Sequence, residues 1–277
     1  MMSDTFKKAA VVGWPIKQSK SPLIHGYWIK KFEINGSYEA IGLPPENFAN
    51  GVNDLLSQGY RGCNVTIPHK ETALEIADFV SDRAKAIGAA NTLVFKDSKI
   101  HADNTDGIGF INNLKQGSAS WAASNGTAIV LGAGGAARAI IYALLQDGAP
   151  RVIIANRTEK NAKRLADFFG ERVSAISITE VFGVLGDVQT FVNTTSLGMV
   201  GQPDLKIDIS NLPKTALVTD IVYNPITTSL LSKAQELGLE TVDGLGMLLH
   251  QAVPGFEAWF GVRPTVDATL RQIVLGG

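Results

Sequence analysis

The sequence contains a single cysteine, Cys63, in 277 residues. One cysteine excludes an internal disulfide framework and a zinc site made of several thiolates. Cys63 lies in an apolar, strand-like stretch, so we expect it to be a small buried hydrophobic residue. The fold therefore has to gain its stability from apolar cores, and 45% of the residues are hydrophobic.

Long hydrophobic runs and an excess of basic charge are also missing. No uninterrupted apolar stretch reaches the roughly 18 residues of a membrane-spanning helix. The formal net charge is −1, whereas nucleic-acid-binding proteins usually carry a basic excess or stripe. The N-terminal segment reaches the turn Gly13-Trp14-Pro15 before the apolar core of a signal peptide could form. We expect a cytoplasmic protein without a membrane or nucleic-acid partner.

Strand-like and helix-like stretches alternate in two series, which predicts an α/β fold. The length of the chain suggests two domains, at roughly 100–200 residues each. The first series ends in a predicted hairpin that turns at Asp97-Ser98. Its first helix is expected to have Ser21 as the N-cap and Pro22 at the first helical position. The second series begins near Thr127 and ends in helical segments, and we find neither internal repeats nor low-complexity tracts.

The stretch C-N-V-T-I-P-H-K, residues 63–70, has the pattern of a buried strand that ends in polar groups. Asn64 and Thr66 place hydrogen-bonding side chains in an otherwise apolar strand. Pro68 cannot donate to a central ladder, so the strand has to end there and leaves Lys70 at its tip. Such a junction fits either a solvated lysine or one wall of a binding site.

A glycine-rich turn opens the second series. Gly132, Gly134 and Ala137 match the pattern G-x-G-x-x-G/A between an apolar strand at 128–131 and a helix at 136–145. In this order of elements the backbone can approach a pyrophosphate, and the helix N-terminus offers free N–H groups and a partial positive charge. The pattern indicates dinucleotide binding, although a purely structural βα turn would look the same.

The next strand of this series indicates which dinucleotide binds. An NAD site has an acidic residue about 20 positions after the first glycine, where it accepts from the ribose 2′-OH. This chain instead has Asn156, Arg157 and Thr158, and Arg157 offers a planar fork for a 2′-phosphate. Lys160 is a further donor, and Glu159 is expected to turn away with the helix start. NADP is favoured, although a polar turn with Thr158 as a helix cap fits the same residues.

A nicotinamide enzyme that oxidises an alcohol needs a group that takes the hydroxyl proton. The four histidines of the chain all lie in segments where a polar surface position, or a satisfied and partly buried one, is more common. Burial and neighbouring charges can lower the pKa of a lysine to about 7–8, which suits a general base. Lys70 is therefore the better candidate, and the stretch D-N-T-D-G at 103–107 supplies carboxylates at another predicted strand end.

Taken together, these features resemble the shikimate dehydrogenase family along essentially the whole chain. The motifs that carry the resemblance are S-K-S-P (19–22), N-V-T-I-P-H-K (64–70), G-A-A-N-T (88–92), N-T-D-G (104–107), G-A-G-G-A-A-R (132–138), N-R-T (156–158), N-T-T-S-L-G-M (193–199), D-I-V-Y-N-P (220–225) and G-L-G-M-L-L-H-Q-A (244–252). Their combination is specific to this family, whereas the glycine-rich turn alone is shared by many dinucleotide-binding proteins.

The resemblance implies a catalytic pair and a set of substrate contacts. Lys70 is similar to the catalytic lysine of the family, and Asp106 to its carboxylate partner, both close to the reacting hydroxyl. The implied substrate contacts are Ser19 and Ser21 at the substrate carboxylate, and Asn64, Thr66, Asn91, Tyr223 and Gln251 elsewhere.

The resemblance also implies the residues that bind NADP, and it implies no metal. These residues are Gly132, Ala133, Gly134, Gly135 and Ala136 of the glycine-rich turn, the polar residues Asn156, Arg157, Thr158 and Lys160, and in addition Thr194, Ile221, Gly244, Met247 and Asp82.

Structural roles remain open for several of these residues. Ser19 and Ser21 could cap the following helix, and Asp106 could cap the helix that begins near Gly107. Asn91 could also be an ordinary loop residue and Gln251 an exposed helix residue. Tyr223 and Met247 could belong to an apolar core.

The implied architecture has two α/β domains. Residues 1–106, joined by C-terminal helices at 242–277, would form the substrate-binding and catalytic domain, with a mixed sheet. Residues 107–241 would form the NADP-binding Rossmann domain. The active site would lie in the cleft between the domains, and hydride transfer would require that cleft to close.

The resemblance implies an NADP-dependent oxidoreductase that interconverts 3-dehydroshikimate and shikimate, a step of chorismate and aromatic amino-acid biosynthesis. A quinate/shikimate dehydrogenase with broader substrate or cofactor use is a second interpretation. A third is a non-catalytic NADP-binding regulatory protein, which is expected to lack the lysine–aspartate pair or the two serines, and this chain has all four. The expected partner is a small-molecule substrate, and a homodimer is left open.

Overall fold

The protein forms two compact units. We obtained its structure as a computed structural model, which describes residues 5–276. Unit 1 comprises residues 5–105 and 251–276, and unit 2 comprises residues 106–250. The domain edges expected from the sequence, at 106/107 and 241/242, stay a prediction. The chain passes from one compact unit to the other at 105/106 and at 250/251.

In the described part of unit 1, six strands form a mixed sheet in the order β2-β1-β3-β5-β6-β4. Its strands are β1 (Lys7–Gly13), β2 (Gly36–Gly42), β3 (Tyr60–Val65), β4 (Phe79–Val80), β5 (Thr92–Lys96) and β6 (Lys99–Asp103). β1 pairs in parallel with both β2 and β3, whereas β5 is antiparallel to β3 and to β6. The largely parallel sheet with a hairpin addition agrees with the sequence prediction, except that the short strand β4 was not predicted.

The hairpin between β5 and β6 turns at Asp97-Ser98, as predicted. Both residues have positive φ, 51° and 58° respectively. Two consecutive left-handed residues form the tight turn whose twist matches that of the flanking antiparallel strands. Asp tolerates this conformation better than most residues because its short side chain can bond locally to the backbone.

The helices of unit 1 lie between and after these strands. They are α1 (Ser21–Lys31), α2 (Phe48–Ser57), α3 (Lys70–Glu75), α4 (Asp82–Ile87) and α10 (Ala268–Gly276), together with the second part of α9 (Leu245–Phe260), which begins in unit 2. The predicted start of α1 needs a correction. The helix begins at Ser21, Pro22 is its second residue and Lys20 occupies the cap position. Ser19 Oγ accepts from the Ser21 N–H at 3.3 Å, so the serine before the cap satisfies the first free amide of the helix.

The second part of α9 and the segment that follows it pack on the core of unit 1. Trp259 Nε1 donates to the backbone oxygen of Leu93 at 3.0 Å, and Trp28 Nε1 donates to that of Thr265 at 3.3 Å. Both indole rings are almost fully buried. Because each indole N–H is satisfied, the burial of these large rings stabilises the unit without a lost hydrogen bond. Cys63 is fully buried in the same unit, as expected.

Unit 2 contains a parallel sheet in the order β12-β11-β10-β7-β8-β9. Its strands are β7 (Thr127–Leu131), β8 (Val152–Asn156), β9 (Val173–Ser177), β10 (Val188–Asn193), β11 (Leu217–Asp220) and β12 (Glu240–Val242). Its helices are α5 (Asp106–Gly117), α6 (Gly135–Gln146), α7 (Glu159–Phe169), α8 (Ser229–Glu236) and the first part of α9. The strand order runs outward in both directions from β7, which is the doubly wound Rossmann arrangement.

Two apolar cores, one on each face of this sheet, enclose its strands. Alternate residues of β7 point to different cores: Ala128 and Val130 join one cluster, and Ile129 and Leu131 join the other. A sheet that is covered on both faces reads as a continuous apolar run rather than as an alternating one. Among residues 5–276, no helix is both long and apolar enough to cross a bilayer.

Candidate active site

Polar side chains of unit 1 converge on Asn91, which directly precedes β5. The Asn91 Nδ2 atom donates to Thr105 Oγ1 at 3.0 Å and to Gln251 Oε1 at 3.3 Å. Its Oδ1 atom accepts from the Thr105 N–H at 2.8 Å and from Thr92 Oγ1 at 2.9 Å. Thr105 Oγ1 also donates to the backbone oxygen of Gln251 at 2.8 Å. Asn91 is buried and bonded on both ends of its amide, unlike an ordinary loop residue. Gln251 is half-buried, so it is not an exposed helix residue.

Asn64, on β3, connects to this cluster from the neighbouring strand. Its Nδ2 atom lies 3.3 Å from the backbone oxygen of Asn91 and 3.4 Å from Thr92 Oγ1. Its Oδ1 atom accepts from the hydroxyl of Tyr38 at 2.7 Å. Asn64 and Asn91 are both buried, and their polar atoms have partners, which is the condition for burying amides without a large energetic penalty.

Lys70 begins α3, five residues beyond the end of β3. The backbone oxygen of Lys70 accepts from the Ala90 N–H at 2.8 Å, which fixes the start of α3 beside the segment that leads to Asn91. Thr66 lies in the turn between β3 and α3, where its N–H donates to the backbone oxygen of Val12 at 3.0 Å. These backbone bonds place the start of α3 beside the segment that leads to Asn91 and fix Thr66 directly after the strand that carries Asn64.

Asp106, the expected partner of Lys70, is the first residue of α5 and belongs to unit 2. It is thus part of the first helical turn rather than a cap that precedes the helix. The residue two positions before it in sequence, Asn104, donates from Nδ2 to the backbone oxygen of Ala89 at 2.9 Å. Thr105 is hydrogen-bonded to Asn91 in unit 1, so the position of the residue directly before Asp106 is fixed.

Asp103, at the end of β6, stabilises the same segment through an ion pair. Arg83 Nε donates to Asp103 Oδ1 at 2.6 Å, and Arg83 Nη2 pairs with the other carboxylate oxygen. Ser81 Oγ donates to Oδ1 at 2.6 Å, and the Asn104 N–H donates to it at 2.8 Å. Burial alone would raise the pKa of Asp103, but the bonds from Arg83 and Ser81 hold that pKa below its usual value.

His69 and His101 lie against aromatic rings, whereas His25 is fully buried and, among the described residues, has no hydrogen-bond partner at either ring nitrogen. His25 therefore differs from the polar-surface or satisfied, partly buried position expected from the sequence. His69 Nε2 lies 2.6 Å from the backbone oxygen of Leu43, and its ring stacks on Phe48. His101 stacks on Phe79, at a centroid distance of 4.7 Å. His69 directly precedes Lys70, yet its ring is committed to α2 and not to the polar cluster.

The glycine-rich turn of unit 2 has the geometry of a phosphate-binding loop. Gly132 has φ of +107°, and a Cβ atom there would lie 2.8 Å from Thr194 Oγ1. Gly134 occupies the cap position of α6, which begins at Gly135. Gly134 and Gly135 have open space where a Cβ would be, so the first turn of α6 presents its amides without an obstructing side chain. This surface suits the pyrophosphate of a dinucleotide.

Arg157 follows β8 and is exposed, with Thr158 and Lys160 exposed beside it. Asn156 Nδ2 donates to the backbone oxygen of Thr158 at 2.9 Å, which closes the turn before α7. Thr158 occupies the cap position of α7, but its side chain makes no capping bond. Glu159 pairs with Lys163 one turn along the helix at 2.8 Å, so its carboxylate is turned along α7, as expected.

The remaining cofactor residues follow the ends of neighbouring strands. Thr194 follows β10, and its hydroxyl donates to the backbone oxygen of Leu131 at 2.6 Å. Ile221 follows β11, and its N–H donates to the backbone oxygen of Asn193 at 3.1 Å. In a doubly wound sheet, ligands bind outside these carboxyl ends, next to the strand where the order reverses.

Asp220, the last residue of β11, holds the segment that leads to Ile221 and Tyr223. Its carboxylate accepts from the Val222 N–H at 3.0 Å, from Asn193 Nδ2 at 3.0 Å and from Thr228 Oγ1 at 2.8 Å. Burial raises the pKa of Asp220 above its usual value even though three donors face it. Tyr223 is 37% exposed, so it is not the buried aromatic residue that the sequence left open.

Gly244 follows β12 and precedes α9. The side chain of Asn113, on α5, donates from Nδ2 to the backbone oxygen of Asp243 at 2.7 Å. Asp243 Oδ1 in turn accepts from the Leu245 N–H at 3.0 Å, which caps the start of α9. Met247 is partly buried and packs against one of the cores of unit 2, which agrees with its alternative role in packing.

Comparison with known proteins decides the family. The model of the shikimate dehydrogenase substrate-binding domain matches residues 11–93, that of shikimate/quinate 5-dehydrogenase matches residues 115–245, and that of the shikimate 5′-dehydrogenase C-terminal domain matches residues 244–273. Shikimate dehydrogenase (NADP(+)) of Jannaschia sp. (strain CCS1) is 52% identical over 278 aligned positions, which cover 100% of both chains. The chain belongs to the shikimate dehydrogenase family.

Solved structures show the same fold. The shikimate 5-dehydrogenase of Thermus thermophilus in complex with NADP(H) and shikimate has a TM-score of 0.87 at 32% identity, over 98% of this chain and 99% of that one. The quinate dehydrogenase of Corynebacterium glutamicum in complex with NAD has a TM-score of 0.89 at 30% identity, with the same coverage. The shikimate dehydrogenase fold expected from the sequence, a substrate-binding domain and a Rossmann domain, is therefore confirmed.

The site residues implied by the family resemblance fall into two groups. Unit 1 carries Lys70, Ser19, Ser21, Asn64, Thr66, Asn91 and Gln251. Unit 2 carries Asp106, Tyr223 and every expected cofactor residue except one. The exception is Asp82, which begins α4 in unit 1 with a fully exposed carboxylate 4.0 Å from Lys85 Nζ. The structure does not bring Asp82 together with the other cofactor residues in one unit.

Four polar residues that hold candidate site residues within their own units were not among those expected from the sequence. They are Tyr38, Thr105, Asn113 and Asp220. Thr105 and Asp220 lie in the motifs N-T-D-G and D-I-V-Y-N-P, so their positions near strand ends were a usable signal. Tyr38 and Asn113 gave none, because their partners lie on other elements. Among residues 5–276, no cluster of three or more His, Cys, Asp or Glu side chains could hold a metal ion.

Proposed function

We propose that this protein catalyses the reversible, NADPH-dependent reduction of 3-dehydroshikimate to shikimate, in the route to chorismate and the aromatic amino acids. The observation that carries the proposal is the polar cluster around Asn91. A small ring acid with several hydroxyl groups needs such a dense set of fixed donors and acceptors. Family membership and the identity of about half of all residues with shikimate dehydrogenase (NADP(+)) of Jannaschia support the same reaction.

Lys70 is the proposed proton carrier. NADPH, when bound, supplies the hydride that reduces the carbonyl carbon. The Lys70 ammonium gives its proton to the carbonyl oxygen, which becomes the hydroxyl of the product, and the amine regains a proton from solvent. In the oxidative direction the neutral amine takes the hydroxyl proton. Asp106 is the carboxylate that the family resemblance assigns as its partner, and a carboxylate favours the protonated amine.

The substrate-binding residues serve different parts of the ligand. We assign Ser19 and Ser21 to the carboxylate, because hydroxyl groups are neutral donors that bind a small anion without a buried charge. Asn64, Thr66, Asn91 and Gln251 are assigned to the ring hydroxyls, together with Tyr223. Asn91 and Gln251 are already bonded to each other, so their amides are held in place before the ligand arrives.

NADP is the proposed cofactor, and Arg157 selects it. The exposed guanidinium group after β8 can form paired bonds with a 2′-phosphate, with Thr158 and Lys160 beside it. The carboxylate of Glu159 is engaged with Lys163. The tip of β8 therefore lacks the free carboxylate that an NAD site uses to accept from the ribose 2′-OH.

Broader substrate or cofactor use is the second candidate function. The similarity to a quinate dehydrogenase with bound NAD favours it, and the residues after β8 argue against NAD. A non-catalytic regulatory role is disfavoured, because the chain has Lys70, Asp106 and both serines. We further propose that the enzyme is cytoplasmic. A homodimer is left open, and size-exclusion chromatography with light scattering measures the molar mass that decides it.

A steady-state assay tests these assignments. The purified protein is assayed with shikimate or quinate, each against NADP and NAD. We expect the highest kcat/KM for shikimate with NADP. A higher value for quinate, or for NAD, would move the assignment to the second candidate. Absence of turnover with all four pairs, from protein that is folded and binds NADPH, would contradict the proposed function.

A further inference from the structure

Tyr38, on β2, is buried and lies outside the set of residues that the family resemblance implies. Its hydroxyl donates to Asn64 Oδ1 at 2.7 Å. Burial raises the pKa of Tyr38 well above its usual value, and the Cys63 thiol acts in the same direction while the Ser21 hydroxyl opposes it. The phenol therefore holds its proton more tightly than an exposed tyrosine does, and it is a hydrogen-bond donor to Asn64.

This bond decides which way the Asn64 amide faces. The two ends of an asparagine amide have nearly the same shape, so only their hydrogen-bond partners distinguish them. With Oδ1 toward Tyr38, the Nδ2 atom faces the backbone oxygen of Asn91 and Thr92 Oγ1. The reversed amide would place Oδ1 against the Asn91 oxygen, two acceptors without a proton between them. Tyr38 supplies the donor at the opposite end, which makes the observed orientation the favourable one.

The Tyr38 ring is itself held by His25. The two rings stack with centroids 3.9 Å apart and planes inclined by 9°. Phe256 and Trp259 lie beside the His25 ring, at centroid distances of 5.8 and 5.6 Å. His25 is fully buried, and among the described residues neither of its ring nitrogens has a hydrogen-bond partner. His25 thus acts on Tyr38 through the shape of its ring and not through a hydrogen bond.

The same arrangement connects Tyr38 to the expected carboxylate-binding end of the site. His25 lies four residues after Ser21 on α1, which places both side chains on one face of the helix. Both residues are buried. Tyr38 therefore stands between α1, which carries Ser21, and β3, which carries Asn64.

We propose that Tyr38 is a positioning residue for the substrate: its hydroxyl fixes the orientation of Asn64, and the His25 ring holds Tyr38 in place. This inference rests on the proposed function, because it assumes that Asn64 contacts a ring hydroxyl of the bound ligand. Tyr38 itself is not a catalytic residue, since its hydroxyl acts on the ligand through the Asn64 amide. Its effect should appear in substrate binding rather than in proton transfer.

The test compares Tyr38→Phe with a matched control, Tyr60→Phe. Tyr60 lies on β3 and its hydroxyl pairs with Glu39, away from the polar cluster. We expect Tyr38→Phe to raise the KM for shikimate about tenfold, the loss that removing one hydrogen bond from a fixed group produces, with kcat within about threefold and the KM for NADPH unchanged. Tyr60→Phe should leave all three values near those of the unmodified enzyme. An unchanged KM for shikimate in Tyr38→Phe would overturn the inference.

A double-mutant cycle separates positioning from a general structural effect. If Tyr38 acts through Asn64, the substitution Tyr38→Phe should cost little further affinity once Asn64→Ala is present. Equal losses in both backgrounds would contradict the inference. Should Tyr38→Phe fail to fold, His25→Leu keeps the side-chain volume but removes the flat ring, and it should raise the KM for shikimate two- to fivefold with kcat retained. Absence of turnover in the unmodified enzyme would instead count against the proposed function, so the two failures are distinguishable.

Discussion

Asn91 and Gln251 are hydrogen-bonded to each other although 160 positions separate them in the chain, with Asn91 Nδ2 3.3 Å from Gln251 Oε1. Thr105 joins the pair by donating to the backbone oxygen of Gln251 at 2.8 Å. The end of the first strand series and the C-terminal helices thus share one polar cluster. A change to any of the three side chains should reach the other two, because buried polar networks are stable only when each member is satisfied.

Replacement of Lys70 by alanine should remove most turnover and leave substrate binding within a few-fold. Loss of a positioned acid–base group typically lowers kcat by about 10²–10⁴-fold, whereas the ring contacts proposed for Asn91 and Gln251 are not altered by this substitution. Single-turnover kinetics and calorimetric titration with shikimate measure the two effects separately. Lys96→Ala, at the exposed end of β5, is the matched control. A variant with alanine at position 70 that turns over at nearly the full rate at neutral pH would refute the lysine assignment.

Replacement of Arg157 by alanine should weaken NADPH binding more than NADH binding. A charge-assisted hydrogen bond contributes about 1.5–3 kcal/mol, which corresponds to roughly 10–100-fold in affinity. NADH lacks the 2′-phosphate and should be affected less than threefold. Arg151→Ala, at the other end of the same segment, provides the control, because Arg151 lies next to Ser174 and not at the carboxyl edge. Equal losses for the two cofactors would exclude a 2′-phosphate role for Arg157.

Replacement of Gly246 by alanine should disturb the segment that carries Gly244 and Met247. The new Cβ would lie 1.8 Å from Asn113 Oδ1, and overpacking of this kind typically costs about 1–3 kcal/mol of stability. We expect a lower melting temperature and at least a tenfold higher KM for NADPH. The further substitution Asn113→Ala removes the clashing atoms and leaves only the Asn113 Cβ, at 3.4 Å. Because Asn113→Ala also removes the bond from Nδ2 to the backbone oxygen of Asp243, the double variant is compared with Asn113→Ala alone. Gly246→Ala should lower stability less in that background than in the unmodified protein, and an equal loss in both backgrounds would contradict the clash.

His25 should make the enzyme sensitive to acid. Burial lowers the pKa of His25 to about 3, and the neighbouring Asn64 amide only partly opposes this effect. The unfolded chain takes up a proton near pH 6.5 and the folded chain does not, so the stability from this group is complete above pH 6.5 and falls as the pH drops towards about 3. The expected contribution to the slope is about 1.4 kcal/mol per pH unit.

Urea unfolding at a series of pH values between 4 and 7 measures this slope for the unmodified enzyme and for His25→Leu. The variant cannot take up a proton at this position in either state, so its free energy of unfolding should fall less steeply with acid. Burial also lowers the pKa of His250, to about 4, and that residue remains in both proteins as a common background. Identical slopes would show that residue 25 does not titrate on unfolding.

The sequence predicted those features that depend on neighbouring residues. The strand, glycine turn and helix from 127 to 146 follow one another in the chain, and so do the two strands that flank Asp97 and Ser98. Each pattern is local, and the physical reason for it can be read from a few consecutive residues. The return of the C-terminal helices and of Gln251 to unit 1 was implied by the family resemblance and not by any local pattern.

Features that depend on distant partners were missed or wrongly placed. Strand β4 has two residues and exists through its pairing with β6, so its own sequence gave no signal. The start of α1 was misplaced because Ser19, rather than Ser21, binds the first free amide. Tyr38 reads as one apolar position in a strand, and only the folded structure brings it to Asn64, 26 positions away.

Unit 1 is built from residues at both ends of the chain, and this has a consequence for its folding during translation. Ribosomes add about 5–20 residues per second, and the N-terminal end of the chain leaves the ribosome first. Every residue of unit 2 therefore emerges before Gln251 does. For a period on the order of ten seconds, Asn91 therefore lacks its bond to Gln251, and the backbone oxygen of Leu93 lacks its bond from the Trp259 indole. A translational stop after residue 250 would remove the second part of unit 1, and with it the bonds of Gln251 to Asn91 and Thr105 and of Trp259 to Leu93.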